Sequence, residues 1–322
     1  MLVPGASGVR LMEAGDMNQK TTQSLAPRVF FDERMVADIG PHVSPSSAKP
    51  RQVVHTVAES GLPHAIEPIV PATVEEICLA HDESYVRGVL AGEIANGFGG
   101  KQREVIDSLP YTSGAMLSAA RFALQNRVAF APVSGFHHAG YASGGGFCTF
   151  NGLLVTAQVL LAERRVKRVL IVDFDAHFGD GTEDIIQRLR LEKCVSQINA
   201  ARVASLERMA AAIDYALSEQ RQELILYQAG MDMLKDDPIG WGQQGWSYAD
   251  LAKRDELVFA RAAAAHIPIV WNLAGGYLRD ENDTIAPVLR GHLNTYTASL
   301  NVYFGANAQY DLVSGEPASH AS

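Results

Sequence analysis

From Val29 onward, short apolar, β-branched runs alternate with longer amphipathic stretches. Residues 29–31, 128–130, 169–172, 224–227 and 267–271 have the length and composition of buried strands, and 194–198 is a shorter candidate. Between them, apolar residues recur at helical spacing over 113–125, 152–164, 182–191, 205–220, 248–265 and 284–303. This alternation predicts an α/β fold, a three-layer α-β-α arrangement around a mostly parallel central sheet. No Pro/Gly/Ser-rich linker divides the middle and no repeat is visible, so one domain is expected over 28–305. The aperiodic stretches 1–27 and 306–322, rich in small and polar residues, read as flexible tails.

In open α/β sheets, ligands bind beyond the carboxyl ends of the strands. Polar residues collect at four such ends here. His137 and His138 follow the strand near 128–134, and Asp173, Asp175 and His177 follow 169–172. Asp232 follows 224–229, and Gly275, Gly276 and Tyr277 follow 267–273.

The segment VLIVDFDAHFGDGTEDI, 169–185, carries the strongest chemistry. Side chains alternate along a strand, so Asp173, Asp175 and His177 are expected to point the same way. Three such groups repel unless a cation, or other donors, compensates, and oxygen with imidazole suits Zn²⁺ or another borderline divalent ion. The competing explanation is a set of turn formers and caps, which fits Asp180-Gly181-Thr182 taken alone. It fits the whole cluster poorly, because unpaired buried carboxylates are costly. Asp232 is a plausible third ligand, and a three-ligand site leaves a coordination position open, as catalytic zinc requires. Asp236, Asp237 and Pro238 look like turn chemistry.

In GFHHAGYASGGGFCTFN, 135–151, two histidines adjoin a glycine-rich loop that backbone or substrate can approach closely. Histidine is the usual general base near neutral pH. An isolated His-His pair can equally be one satisfied loop histidine with a solvated neighbour. Gly275 and Gly276 permit a loop that presents the Tyr277 phenol to an oxyanion, although Gly-Gly-Tyr is often only a turn with a packed aromatic.

Composition narrows the class. The 322 residues are 47% hydrophobic and 20% charged, enough for a sizeable core, and no apolar run reaches the ~20 residues that span a bilayer. Cys78, Cys148 and Cys194 are scattered, which excludes a disulfide framework and, with no signal-peptide pattern at the start, suggests the cytoplasm. A net charge of −9 disfavours direct nucleic-acid binding and weakly favours cationic or neutral small ligands. Oligomeric state is not readable.

Taken together, the four segments resemble the histone deacetylase family of the arginase/deacetylase fold, across roughly 29–303 and specifically at the motifs between Gly135 and Tyr277. The resemblance implies a zinc-dependent hydrolase that removes acetyl from an acetylated amine, acetyl-lysine or an acetylated polyamine. It implies one Zn²⁺ held by Asp175, His177 and Asp232. The tandem catalytic histidines are then His137 and His138, with His138 the general base and acid, paired to Asp173 and Asp180 respectively. Tyr277 becomes the oxyanion stabiliser, and Gly146 and Phe147 the residues that accept the substrate amide N–H and line the acyl channel. Asp173 and Ser196, with the carbonyls of Asp175 and His177, resemble the family's K⁺ or Na⁺ site.

The chain departs from the family pattern in several places. The stretch between Asp180 and Asp232 is short, and the loop carrying the second aromatic channel wall is not recognisable, leaving an open site or a wall supplied by Trp241 or Trp246. Ser134 stands where relatives often carry proline and Ala274 where many carry glutamate, and the rim aspartate has no counterpart. Two rivals remain: a two-metal ureohydrolase of the same fold, for which Met233 and Leu234 after Asp232 supply no second carboxylate, and a non-catalytic acetyl-ligand binder.

Overall fold

A computed structural model of the protein describes residues 26–40 and 44–305. Apart from Ala26 and Pro27, the tails expected at 1–27 and 306–322 lie outside these residues. One all-parallel sheet is built from β1 (Arg28–Phe30), β2 (Ala65–Glu67), β3 (Val128–Phe130), β4 (Val169–Asp173), β5 (Val195–Asn199), β6 (Leu224–Gln228) and β7 (Ile269–Asn272). The spatial order is β2-β1-β3-β7-β6-β4-β5. Helices α1 (Lys49–Glu59), α2 (Val74–Cys78), α3 (Glu83–Leu90), α4 (Arg103–Asn126), α5 (Gly152–Ala162), α6 (Asp180–Arg188), α7 (Leu206–Glu219), α8 (Tyr248–Ala264) and α9 (Ala286–Phe304) cover its two faces.

The three layers follow from strand alternation. Val169 and Ile171 of β4, with Leu224 and Leu226 of β6, pack against Met116 of α4 and Leu153 of α5 in one core. The intervening Leu170, Val172, Ile225 and Tyr227 join Met209 of α7, Phe259 of α8 and Leu300 of α9 in the other. Both faces are therefore apolar, which is why these strands read as continuous hydrophobic runs. Truncating one such side chain, Leu170→Ala for example, costs about 2–5 kcal/mol.

Helix entry is set locally. The Asn151 side chain accepts from Leu154 N at 3.2 Å to start α5, and Ser247 forms a capping box with Asp250 to start α8. Helix α4 begins ten residues before the expected 113, running through Pro110, whose carbonyl accepts from Ala72 N at 2.8 Å. Proline removes only its own N–H, and the surrounding core holds the rest of the helix.

Strand order positions the site. β3, β7, β6 and β4 are consecutive neighbours, so the loops after them emerge side by side at one edge of the sheet.

Candidate metal centre and active site

Beyond β4 the chain leaves the sheet over the end of β6. Ala176 N donates to Asp232 Oδ1 at 3.0 Å, tying the two loops together. His177 Nδ1 lies 3.1 Å from Asp175 Oδ1 and 3.0 Å from Asp232 Oδ2. One ligand atom from each of Asp175, His177 and Asp232 lies within 4.8 Å of the others. Asp175 is 2% exposed and Asp232 wholly buried, so two carboxylates share a site that water does not screen. Gly275 N donates to Asp175 Oδ2 at 2.8 Å. Residue 275 must be glycine for this approach, because a Cβ there would collide with Asp232 Oδ2.

The electrostatics fit a cation site. Burial and the facing Asp175 carboxylate push Asp232 above the usual carboxylate range, and hydrogen bonds to Asp175 and Asp232 push His177 up to about 11. A proton on His177 supplies the positive charge that the carboxylates demand. Two oxygens and an imidazole nitrogen in this spacing form a donor set for a divalent metal ion, which would displace that proton.

Asp173 does not face this cluster, although strand alternation suggested that it would. β4 ends at Asp173, so the alternation stops there, and its carboxylate lies 2.8 Å from His137 Nδ1. His138 Nδ1 lies 2.6 Å from Asp180 Oδ1 at the first turn of α6. The two histidine rings are 4.1 Å apart between centroids, and His138 is 5.7 Å from His177. Burial opposes charge on His137, but Asp173 and Asp175 outweigh it and push the ring up to about 9. Burial and the neighbouring His137 lower His138 instead. Adjacent groups driven apart in this way divide into a charged partner and a neutral base.

The glycine-rich loop closes on the histidines. A Cβ on Gly146 would collide with His138 Cδ2, and Phe147 adopts φ of 65°, left-handed backbone that a bulky residue holds only under constraint. The Phe147 ring lies 5.8 Å from that of Tyr277, tilted by 48°, and lines a slot together with Asp175 and His177. Ile239, 49% exposed, stands in the lining of that slot. Trp241 does not supply the missing wall: its Nε1 donates to Ala176 O at 3.2 Å and its ring packs against Trp246, 5.7 Å away.

Ser196 is not brought to Asp173, contrary to the monovalent-cation expectation. In the β4–β5 register Ser196 pairs with Leu170 and Asn199 pairs with Asp173. Three residues of strand separate the two levels by about 10 Å, and the odd offset turns Ser196 to the other face.

Lys49, Asp237 and Arg254 were missed by the sequence reading. Lys49, fully buried, donates to Ala274 O and lies 5.8 Å from the Tyr277 ring centroid; burial pushes it down to about 8. Its inward position was legible, since Lys49, Val53 and Val57 share one helical face. Arg254 sits on the apolar face of α8 with Leu251 and Val258. Asp237 looked like a turn former and is one, but it also holds the Tyr277 backbone.

Comparison with known proteins places this geometry. The histone deacetylase domain pattern matches residues 44–198. Histone deacetylase 2 of Arabidopsis thaliana is 28% identical over 208 residues, 58% of this chain and 53% of that protein. A probable deacetylase of Methanothermobacter thermautotrophicus is 28% identical over 157 residues, 45% of this chain and 46% of its own. Over residues 44–198 the chain is similar to the histone deacetylase family. The crystal structure of the HDA15 HD domain has the same fold, with a TM-score of 0.65 and 21% identity over 92% of this chain and 91% of that one. The matched span thus reaches about half the length of these two curated relatives. Within the family pattern lie His137, His138, Asp173, Asp175, His177 and Asp180; it ends before Asp232 and Tyr277, which strand order delivers to the same edge.

Proposed function

We propose that this protein is a zinc-dependent amide hydrolase that removes acetyl from an acetylated amine, with acetyl-lysine the preferred substrate. One observation carries the reading: Asp175, His177 and Asp232 converge with the spacing of a metal-binding set, and Asp175 and His177 line a slot that also presents a histidine pair and a tyrosine. Zinc bound there would polarise the amide carbonyl and acidify water. Asp175, His177 and Asp232 would hold it.

The remaining roles belong to the chain's own groups. His138, kept neutral by burial and by charged His137, takes a proton from water and returns it to the leaving amine. Asp180 fixes its ring through Nδ1, and Asp173 does the same for His137. Burial and the nearby Asp175 carboxylate push the Tyr277 phenol well above its ordinary value, so it stays protonated and donates a hydrogen bond to the developing oxyanion. Gly146 and Phe147 accept the substrate amide N–H and line the acyl side of the slot.

The acidic balance, net −9, supports a second reading in which the substrate is an acetylated polyamine. A two-metal ureohydrolase is disfavoured because Met233 and Leu234 are buried in the apolar core. Among the described residues no helix is long and apolar enough to cross a membrane. Cys78, Cys148 and Cys194 are free thiols, which supports a cytoplasmic location.

The test is turnover of zinc-loaded protein on acetyl-lysine peptides and acetylated polyamines side by side. Tyr277→Phe should lower kcat by about 10²–10³ with zinc retained. Unchanged turnover in that variant, or no turnover of any acetyl-amide by the wild type, rejects the assignment.

A further inference from the structure

The carboxylate of Asp173 is fully buried at the end of β4, where the family resemblance called for a monovalent cation. The residues around it do not fit one. Asp173 Oδ1 accepts from Gln228 Nε2 at 2.9 Å; Oδ2 lies 2.8 Å from His137 Nδ1 and accepts from Gln197 Nε2 and Asn199 Nδ2, each at 3.3 Å. Gln228 and Asn199 flank Asp173 in register on β6 and β5, and Gln197 shares the face of Asn199 two residues earlier. Four N–H donors thus meet the roughly four lone-pair positions of one carboxylate.

Two of the amides cannot turn to offer oxygen instead. Gln228 Oε1 accepts from Phe136 N at 2.9 Å, and Asn199 Oδ1 accepts from Ala201 N at 3.1 Å. Their hydrogens therefore face Asp173. The roof is closed as well: a Cβ on Gly179 would collide with Gln197 Nε2 and lie 2.6 Å from Asp173 Oδ2. A cation on this carboxylate would have to evict an amide.

We propose that Gln197, Asn199 and Gln228 form an amide cage that replaces the monovalent cation, so that Asp173 and His137 are held in place without K⁺ or Na⁺. The three amides are then positioning residues acting through Asp173. The kinetic part of this proposal rests on the hydrolase reading above; the melting part does not.

The test compares melting temperature and kcat in potassium, sodium and tetramethylammonium chloride at equal ionic strength. The wild type should melt at one temperature and turn over at one rate in all three. A specific ligand of the native state would raise the melting temperature saturably, so a rise confined to K⁺ or Na⁺ overturns the cage. Asn199→Asp keeps the acceptor for Ala201 but sets a second carboxylate against Asp173. It should lower kcat about 10–100-fold with KM little changed, and K⁺ or Na⁺ should partly restore it. Wild-type kcat in that variant overturns the positioning role. Should it fail to fold, Gln197→Met removes one donor at similar volume and is read by the same kcat criterion. Failure of the hydrolase reading leaves no turnover in any salt, whereas failure of the cage appears as a cation-specific melting shift.

Discussion

Asp237 accepts the backbone N–H of Tyr277 at 2.7 Å through Oδ2, the same oxygen that takes Leu278 N at 3.0 Å. Its Oδ1 accepts from Ile239 N at 3.1 Å and Gly240 N at 3.0 Å. One buried carboxylate therefore fastens the tyrosine loop to the loop that carries Asp232 and the slot residue Ile239. Asp237→Ala releases four N–H groups and lets Tyr277 drift. The expected outcome is a fall in kcat of about 10–100-fold. Zinc affinity by chelator competition should stay within a few-fold of wild type, because Asp237 touches no proposed ligand side chain.

Arg254 acts on the other side of the Asp175-His177-Asp232 cluster. From Nη1 it donates to Phe174 O at 3.0 Å and Gly230 O at 2.7 Å, the carbonyls one and two residues before Asp175 and Asp232. Its charge is balanced by Asp255 at 2.8 Å, which also accepts from Tyr227 and from Thr295 Oγ1 at 2.6 Å. Arg254→Met leaves Asp255 buried without its cation, and breaking such a pair costs about 3–5 kcal/mol. Urea unfolding should show that loss, together with weaker zinc retention in the folded fraction.

Much of this arrangement was legible in the chain because strand and helix periods are local properties. β4, β6 and β7 read as apolar runs since both their faces are buried, and the polar residues after them marked the edge where a site belongs. β2 was not legible: it has three residues, and Ile66 at its centre is 48% exposed, so it lacks a buried run to detect. Helices α2 and α3 escaped because they have only five and eight residues, too few to show a helical period. Register was the harder loss. Ser196 and Asn199 are equally polar in sequence, and only pairing with β4 decides that Asn199 reaches Asp173. Lys49 and Arg254 were overlooked because charged residues are presumed exposed, although their helical spacing placed them on apolar faces.

Gly275 offers a steric test of the proposed ligand set. The space that a Cβ would need is occupied by Asp232 Oδ2, with Asp175 Oδ2 2.7 Å away. Both oxygens belong to proposed ligands, carried by the loops after β6 and β4, and they crowd Gly275 in the loop beyond β7. Gly275→Ala should abolish tight zinc binding, read by elemental analysis after dialysis. The circular dichroism spectrum should remain that of the wild type, since the methyl group meets the site and not the core. Full zinc occupancy in this variant would remove Asp232 from the ligand set.

His81 sets an acid limit on stability. Its Nδ1 lies 2.9 Å from Gly140 O, and its Nε2 accepts at 2.8 Å from the N–H of Asn151, the residue that caps α5. The neutral ring with hydrogen on Nδ1 satisfies both partners. A second proton on Nε2 would point at the Asn151 N–H, and burial pushes His81 down to about 4. In the unfolded chain the ring titrates near 6.5, so below that pH the unfolded state binds a proton that the native state refuses. Stability from this group is complete above about 6.5, falls as pH drops toward about 4, and levels off below, a loss on the order of 3 kcal/mol. His81→Gln retains an acceptor for Asn151 without titrating. Urea unfolding between pH 7 and 4 should therefore show a shallower decline in His81→Gln than in the wild type, and parallel declines would assign the acid sensitivity elsewhere.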